Sequence, residues 1–153
     1  MKRGEKVIAT SRQAKSLGAL KEAGAAILEL DVTSSFDQIK ALAAEAEGMY
    51  GRVDVVINNA GFPAVGPLEE LGYAPLHVYM DFCALNLPCS AEGMRIQFEM
   101  NLFGLVNVTN AFLPYMRSRR EGTIVIIGSR SGWRTLPVRL ADSMFTHFFL
   151  IRL

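Results

Sequence analysis

What most constrains this chain is an alternation of short, continuous apolar runs with segments of helical periodicity. Lys6-Val7-Ile8-Ala9-Thr10, Ala26-Ile27-Leu28-Glu29-Leu30, Val53-Asp54-Val55-Val56-Ile57-Asn58 and Thr123-Ile124-Val125-Ile126-Ile127 are β-strand candidates rich in branched residues. They are continuous apolar runs rather than alternating ones, the pattern expected of strands buried on both faces. Leu17, Leu20 and Ala23, and then Phe36, Ile39, Leu42, Ala43 and Ala46, recur at helical spacing between the runs. Gly24 and Gly51 mark the ends of these two helices, and Ser34 or Ser35 supplies a cap for the second. A longer helix is expected over about 93–119, with Pro114 near its end. Strands alternating with helices predict an α/β fold with a doubly wound parallel sheet, because each crossover helix covers a sheet face.

Composition narrows the function classes. With 153 residues, 50% hydrophobic and 20% charged, the chain makes one domain at most and can bury a core. A formal net charge of +1 leaves no electrostatic footprint for nucleic acid or an acidic membrane surface. The densest basic run, Arg117, Arg119 and Arg120, falls at the expected C-terminus of the long helix, where cations complement the macrodipole. It reads as a solvated helix end. No apolar run follows the basic start at 1–6, so no signal peptide is expected. No stretch is long and apolar enough to cross a bilayer, and 144–153 is short and broken by His147 and Arg152. Cys83 and Cys89 form no metal set with the two scattered histidines, and a disulfide framework is not expected. The expected location is cytoplasmic.

Four local patterns carry chemistry. Asn58-Asn59-Ala60-Gly61 closes the third run, and Asp31-Val32-Thr33 closes the second. Asn101-Leu102-Phe103-Gly104 lies in the long helix, followed by Leu113-Pro114-Tyr115-Met116. Gly122-Thr123-Ile124-Val125-Ile126-Ile127-Gly128-Ser129-Arg130-Ser131-Gly132 brackets the fourth run. Taken singly, these residues also read as a tight loop, a helix-initiating Asp and a satisfied core amide. In this order and spacing, over about 5–137, they resemble the short-chain dehydrogenases/reductases.

The resemblance implies a partial Rossmann sheet and an NADP(H)-dependent oxidoreductase acting on a carbonyl or alcohol. It assigns Ser129 as the active hydroxyl, Ser131 as its neighbour, and Asn101 as the residue that holds a water of the proton relay. Asn59, Ala60 and Gly61 would lie under the cofactor, the small residues allowing close approach, and Asp31 with Val32 would meet the adenine. Cofactor choice has a physical argument beside it. Ala9-Thr10-Ser11-Arg12 ends the first run with hydroxyls and a cation where an NAD enzyme carries an acidic side chain for the ribose 2′-hydroxyl. Ser11 and Arg12 suit a 2′-phosphate, which points to NADP over NAD. Arg12 also reads as an exposed helix start.

The chain departs from the family pattern in three places. It contains no Gly-x-x-x-Gly-x-Gly loop to cradle a pyrophosphate, nor the first strand, which normally lies between the second and the fourth. The spacings of the family's acid Tyr and its Lys fall on Asp142 and Thr146, with His147 adjacent by accident. A stretch at 73–90 intervenes before the long helix. Its codons at Tyr73, Leu85-Asn86 and Cys89-Ser90 can carry the donor, branch and acceptor signals of a short retained intron. The expected organisation is therefore an incomplete NAD(P)-binding domain over 1–137 with an insertion at 73–90, and a tail at 138–153 outside the family pattern. A family relative truncated at both ends and impaired in catalysis is expected.

The Ser129-Arg130-Ser131-Gly132-Trp133 run looks like fungal acyl-dihydroxyacetone-phosphate reductases and 17β-hydroxysteroid dehydrogenase-like members, which implies a lipid-like substrate. The family tends to form homo-oligomers through the long helix, where Phe103, Val106, Phe112 and Leu113 are candidates. Two other readings stay open, a non-catalytic interaction module and a fragment too short of core to fold stably.

Overall fold

The computed structural model describes residues 4–62, 91–129 and 149–153. The insertion at 73–90, both cysteines, Arg130, Ser131, Asp142, Thr146 and His147 lie outside the described residues.

Strands β1 (Ile8–Ser11) and β2 (Ala26–Glu29) pair in parallel, Ile8 opposite Ala26 and Ser11 opposite Glu29. A 3-10 turn (Ala14–Leu17) and a short helix α1 (Gly18–Glu22) join them, and neither buries a residue. Leu20, expected on an inward face, is exposed. Gly24 closes this connection at φ +93°, a left-handed backbone that suits glycine. Helix α2 (Phe36–Tyr50) follows with a reciprocal cap. The Gln38 N–H donates to Ser35 Oγ, and Gln38 Oε1 accepts from the Ser35 N–H at 3.1 Å. Ile39, Ala43 and Ala46 form its buried stripe, whereas Phe36 in the first turn stays exposed.

The second sheet contains β3 (Val55–Asn58), β4 (Thr123–Ile126) and β5 (Phe149–Arg152) in that order. β4 runs parallel to β3 and antiparallel to β5. The long helix is one rod of three parts: α3 (Ala91–Phe98), a π-helical segment (Glu99–Gly104) and α4 (Leu105–Arg119). Arg120 ends it in the left-handed region at φ +54°.

The core lies where α2 and α4 cover one face of β3 and β4. Ile39, Ala43, Val56, Val108, Ala111, Met116 and Ile124 make one buried cluster, with Leu30, Val32 and Val53 packed against it. Val56 and Ile124 are register partners that both face it. Their neighbours on β3 do not share this fate: Val55 is 49% exposed and Ile57 61%. The expectation of strands buried on both faces therefore fails for β3, because only one face is covered.

β1–β2 and β3–β4–β5 are separate sheets, so β1 and β3 are not paired with each other. In the doubly wound order 3-2-1-4-5-6, the parallel pair β2-β1 corresponds to strands 3-2 and the parallel pair β3-β4 to strands 4-5, with β5 added antiparallel beside β4. The result is a partial Rossmann-like sheet flanked by helices. A close approach links its halves: a Cβ on Gly104 would sit 2.8 Å from Val32 Cγ2 and 2.9 Å from the Val32 carbonyl oxygen. Only glycine lets the rod lie so near the loop after β2.

The basic run at the end of α4 divides. Arg117 and Arg120 are exposed as expected. Arg119 turns inward, pairing with Glu47 at 3.5 Å and donating to the carbonyls of Glu121 (3.0 Å) and Val53. A cation at a helix end meets carbonyls there, and this one also ties α4 to α2 and to the start of β3.

Candidate functional site

Every site residue expected from the sequence and described by the structure, apart from Asn101 on the long helix, stands at or just beyond the carboxyl end of a strand. Ser11 and Arg12 end β1, Asp31 and Val32 follow β2, Asn59 to Gly61 follow β3, and Ser129 lies three residues beyond β4. Parallel pairing carries these ends to the same edge within each sheet, and the Ile127 N–H donates to the Asn58 carbonyl at 3.0 Å to extend the second ladder. In open α/β sheets, ligands bind outside the carboxyl ends of the strands.

Asn101 meets the turn after β3 directly. Its Oδ1 accepts from the Phe62 N–H at 3.1 Å, and its Nδ2 donates to the Phe62 carbonyl at 2.8 Å. One side chain thus reproduces both bonds of a strand partner. The π-helical segment that holds Asn101 belongs to a class of irregularity frequent at functional sites. Gly61 has a reason of its own to be small, since a Cβ there would fall 3.0 Å from Asn101 Oδ1. Asn59, Ala60 and Gly61 are exposed on the outer side of this turn.

Two contacts at the site have no signal in the sequence. Asn58 Nδ2 donates to Thr109 Oγ1 at 3.1 Å, fastening the end of β3 to α4. Gln97, fully buried, donates from Nε2 to the Phe62 carbonyl at 3.4 Å. Asn58 opens the Asn58-Asn59-Ala60-Gly61 motif, but its bond to Thr109 was not signalled, and Gln97 stands in no motif, because both contacts join segments far apart in the chain. A polar residue on the inward face of an apolar helix was the available clue to Gln97.

At β1, hydroxyl protons can be assigned from the geometry. Ser16 Oγ donates to the Gln13 carbonyl at 2.7 Å, so the 3.0 Å contact between the two hydroxyls is donated by Ser11. Ser11 Oγ in turn accepts from the Gln13 N–H at 3.3 Å. Ser11 therefore shapes the turn, while Arg12 is exposed and has no ion-pair partner among the described residues. Asp31 Oδ1 accepts from the Thr33 N–H (2.9 Å) and from Thr33 Oγ1 (2.7 Å), a local turn that leads towards α2. The structure thus joins Asn101, Gly61 and Phe62, while Ser11 and Arg12 form a separate group with no described hydrogen bond to them. Ser129 is partly buried at the end of the β4 ladder. Among the described residues no group of three His, Cys, Asp or Glu is placed to hold a metal ion, and no helix is long and apolar enough to cross a membrane.

Residues 1–141 match the sequence model of the short chain dehydrogenase family. The chain belongs to that family. It is 35% identical over 142 residues to human 17-beta-hydroxysteroid dehydrogenase type 1, covering 86% of this chain and 37% of the relative. A 3-ketodihydrosphingosine reductase from Bacteroides thetaiotaomicron is 32% identical over 135 residues, covering 88% and 41%. Among solved structures, the closed form of serine dehydrogenase complexed with NADP+ superposes with a TM-score of 0.74 at 28% identity, covering 95% and 52%. The chain spans about two-fifths of the length of these curated relatives.

Proposed function

We propose that this short-chain dehydrogenase is an NADP(H)-dependent oxidoreductase for a carbonyl or alcohol substrate, impaired in turnover as this sequence stands. One observation carries the reading: the candidate site residues stand at the carboxyl ends of four strands, one of them a cation with no ion-pair partner among the described residues. Arg12, lacking a carboxylate partner, suits a 2′-phosphate that an acidic side chain would repel. The exposed turn of Asn59, Ala60 and Gly61 would lie under the cofactor, and Asp31 and Val32 would meet the adenine. When bound, the nicotinamide supplies or accepts the hydride at the substrate carbon.

Ser129 would polarise the substrate oxygen in this reading, its hydroxyl donating a hydrogen bond to it. Asn101 would hold a water of the proton relay, and its side chain also grips the backbone of Phe62. Impairment follows from Asp142 and Thr146, which stand where the family has its acid Tyr and its Lys. An ionised carboxylate is no proton donor at neutral pH, and Thr carries no charge to lower a neighbour's pKa. The stretch at 73–90 is read as an insertion from a retained intron, and 138–153 as outside the family pattern.

The substrate is proposed to be hydrophobic and lipid-like, as the names of the steroid and sphingosine relatives and the resemblance to acyl-dihydroxyacetone-phosphate reductases suggest. Action in the cytoplasm and association of copies through the long helix belong to the same reading. Phe103 and Val106 are exposed on that helix, whereas Phe112 and Leu113 are packed against the core. The bare apolar face at Val55 and Ile57 favours a second reading, a non-catalytic module that binds a partner.

The experiment is to melt the purified chain with and without NADPH and to assay NADPH oxidation against a panel of carbonyls. A weak NADPH-dependent rise in melting temperature with no saturable turnover is expected. Turnover abolished by Ser129→Ala would remove the impairment, and a cooperative melt indifferent to NADPH would favour the interaction module.

A further inference from the structure

We propose that Gln97 is a positioning residue that clamps the turn after β3, holding Asn59, Ala60 and Gly61 in register with the long helix. Its consequence for cofactor binding rests on the reading above; the clamp itself does not. Gln97 is 0% exposed, and its Nε2 reaches the Phe62 carbonyl at 3.4 Å, beside the shorter 2.8 Å bond from Asn101 Nδ2. The orientation of the Gln97 amide is set by this contact, since the opposite one would point two oxygens at each other. Its Oε1 is consequently left buried without a hydrogen-bond partner among the described residues.

That orphaned oxygen carries the inference. A buried acceptor with no partner is disfavoured, and an apolar side chain of similar volume at this position would avoid it. Packing therefore gives no reason for glutamine here, whereas the donor to Phe62 does. Gln97 in α3 and Asn101 in the π-helical segment stand four residues apart and converge on one carbonyl. Asn101 alone grips Phe62 at one height along the rod. A second donor, on the last turn of α3, opposes rotation of the turn about that single grip.

The test replaces Gln97 by Met, which keeps the volume and removes both the donor and the orphaned oxygen. Three quantities are measured on the full chain: the melting midpoint, amide hydrogen exchange, and NADPH affinity by fluorescence titration. A clamp predicts a midpoint unchanged or raised, with exchange at Asn59, Ala60, Gly61 and Phe62 faster by about 10-fold while amides of α4 and β4 keep their protection. NADPH affinity is expected to fall by about 3- to 10-fold, the range for losing one modest hydrogen bond. Unchanged exchange at 59–62 would overturn the proposal. So would acceleration spread evenly through α4 and β4, or outright unfolding, because either marks Gln97 as a general core residue. Should the unsubstituted chain show no response to NADPH, the cofactor reading fails, and the exchange pattern still decides the clamp.

Discussion

At the amino ends of β3 and β4, Arg52 reaches Glu121 at 2.9 Å and also Asp54, and Arg119 is drawn in by Glu47 and two carbonyls. At the carboxyl end of β1, Arg12 stands exposed with no carboxylate among the described residues. The contrast extends beyond charge. The amino end is sealed by Met116, fully buried beneath Gly122, where an added Cβ would lie 2.5 Å from Met116 Cγ. At the carboxyl ends the turns at Ser11 and Asp31 bond locally, and only Asn101 reaches across from the long helix to the turn after β3. The cations of one end are held by carboxylates and carbonyls, and Arg12 at the other has no ion-pair partner among the described residues.

The strongest way to break this comparison is to attack both ends and compare the costs. Met116→Ala removes a fully buried side chain from the core cluster and is expected to destabilise by about 2–5 kcal/mol in urea unfolding. Neighbouring Gly122 and Ile124 give little room for collapse. Asn101→Ala comes next, at about 1–3 kcal/mol, because it removes the acceptor of the partly buried Phe62 N–H and leaves the Phe62 carbonyl only the longer Gln97 contact. If Asn101→Ala costs more than Met116→Ala, the carboxyl end is as structural as the amino end, and the contrast collapses.

The fold was legible wherever the signal was local. Ser35 capped α2 and Gly51 ended it because capping and left-handed termini are decided within a few residues. The four expected strands all formed, each with shifted boundaries. Val55 and Ile57 misled because a continuous apolar run announces burial on two faces, and nothing in the run says whether a second layer exists to bury it. β5 was missed for a related reason: 149–152 is an apolar run too short to distinguish from a helix turn. At the site, motif order pointed to Asn101, Gly61 and Ser129 but not to what Asn101 does. Its partner, the backbone of Phe62, lies 39 positions away, and a backbone group has no sequence signature. Arg119 shows the same limit, since charge at a helix end was readable and its turn towards Glu47 was not.

The smallest effect gives the sharpest discrimination, because it sets one arginine against the other. Arg52 sits between two carboxylates, first Glu121 and then Asp54, whose hydrogen bonds raise its pKa above the ordinary guanidinium value. It is charged at every pH where the protein would be studied, so Arg52→Ala should add no pH dependence. Its pairs are solvent-exposed and screened, so the expected change in urea midpoint is slight and should vanish in 1 M salt. NADPH affinity should not move. Arg12→Ala should likewise leave the urea midpoint alone, since Arg12 is exposed and has no ion-pair partner among the described residues. In a fluorescence titration, however, it should weaken NADPH by about 10-fold, the value of one charge-assisted hydrogen bond, and leave NADH unchanged. Equal losses for the two nucleotides would place Arg12 away from any 2′-phosphate. A loss of NADPH affinity on Arg52→Ala would mean that the paired end of the sheet, rather than the open one, faces the nucleotide.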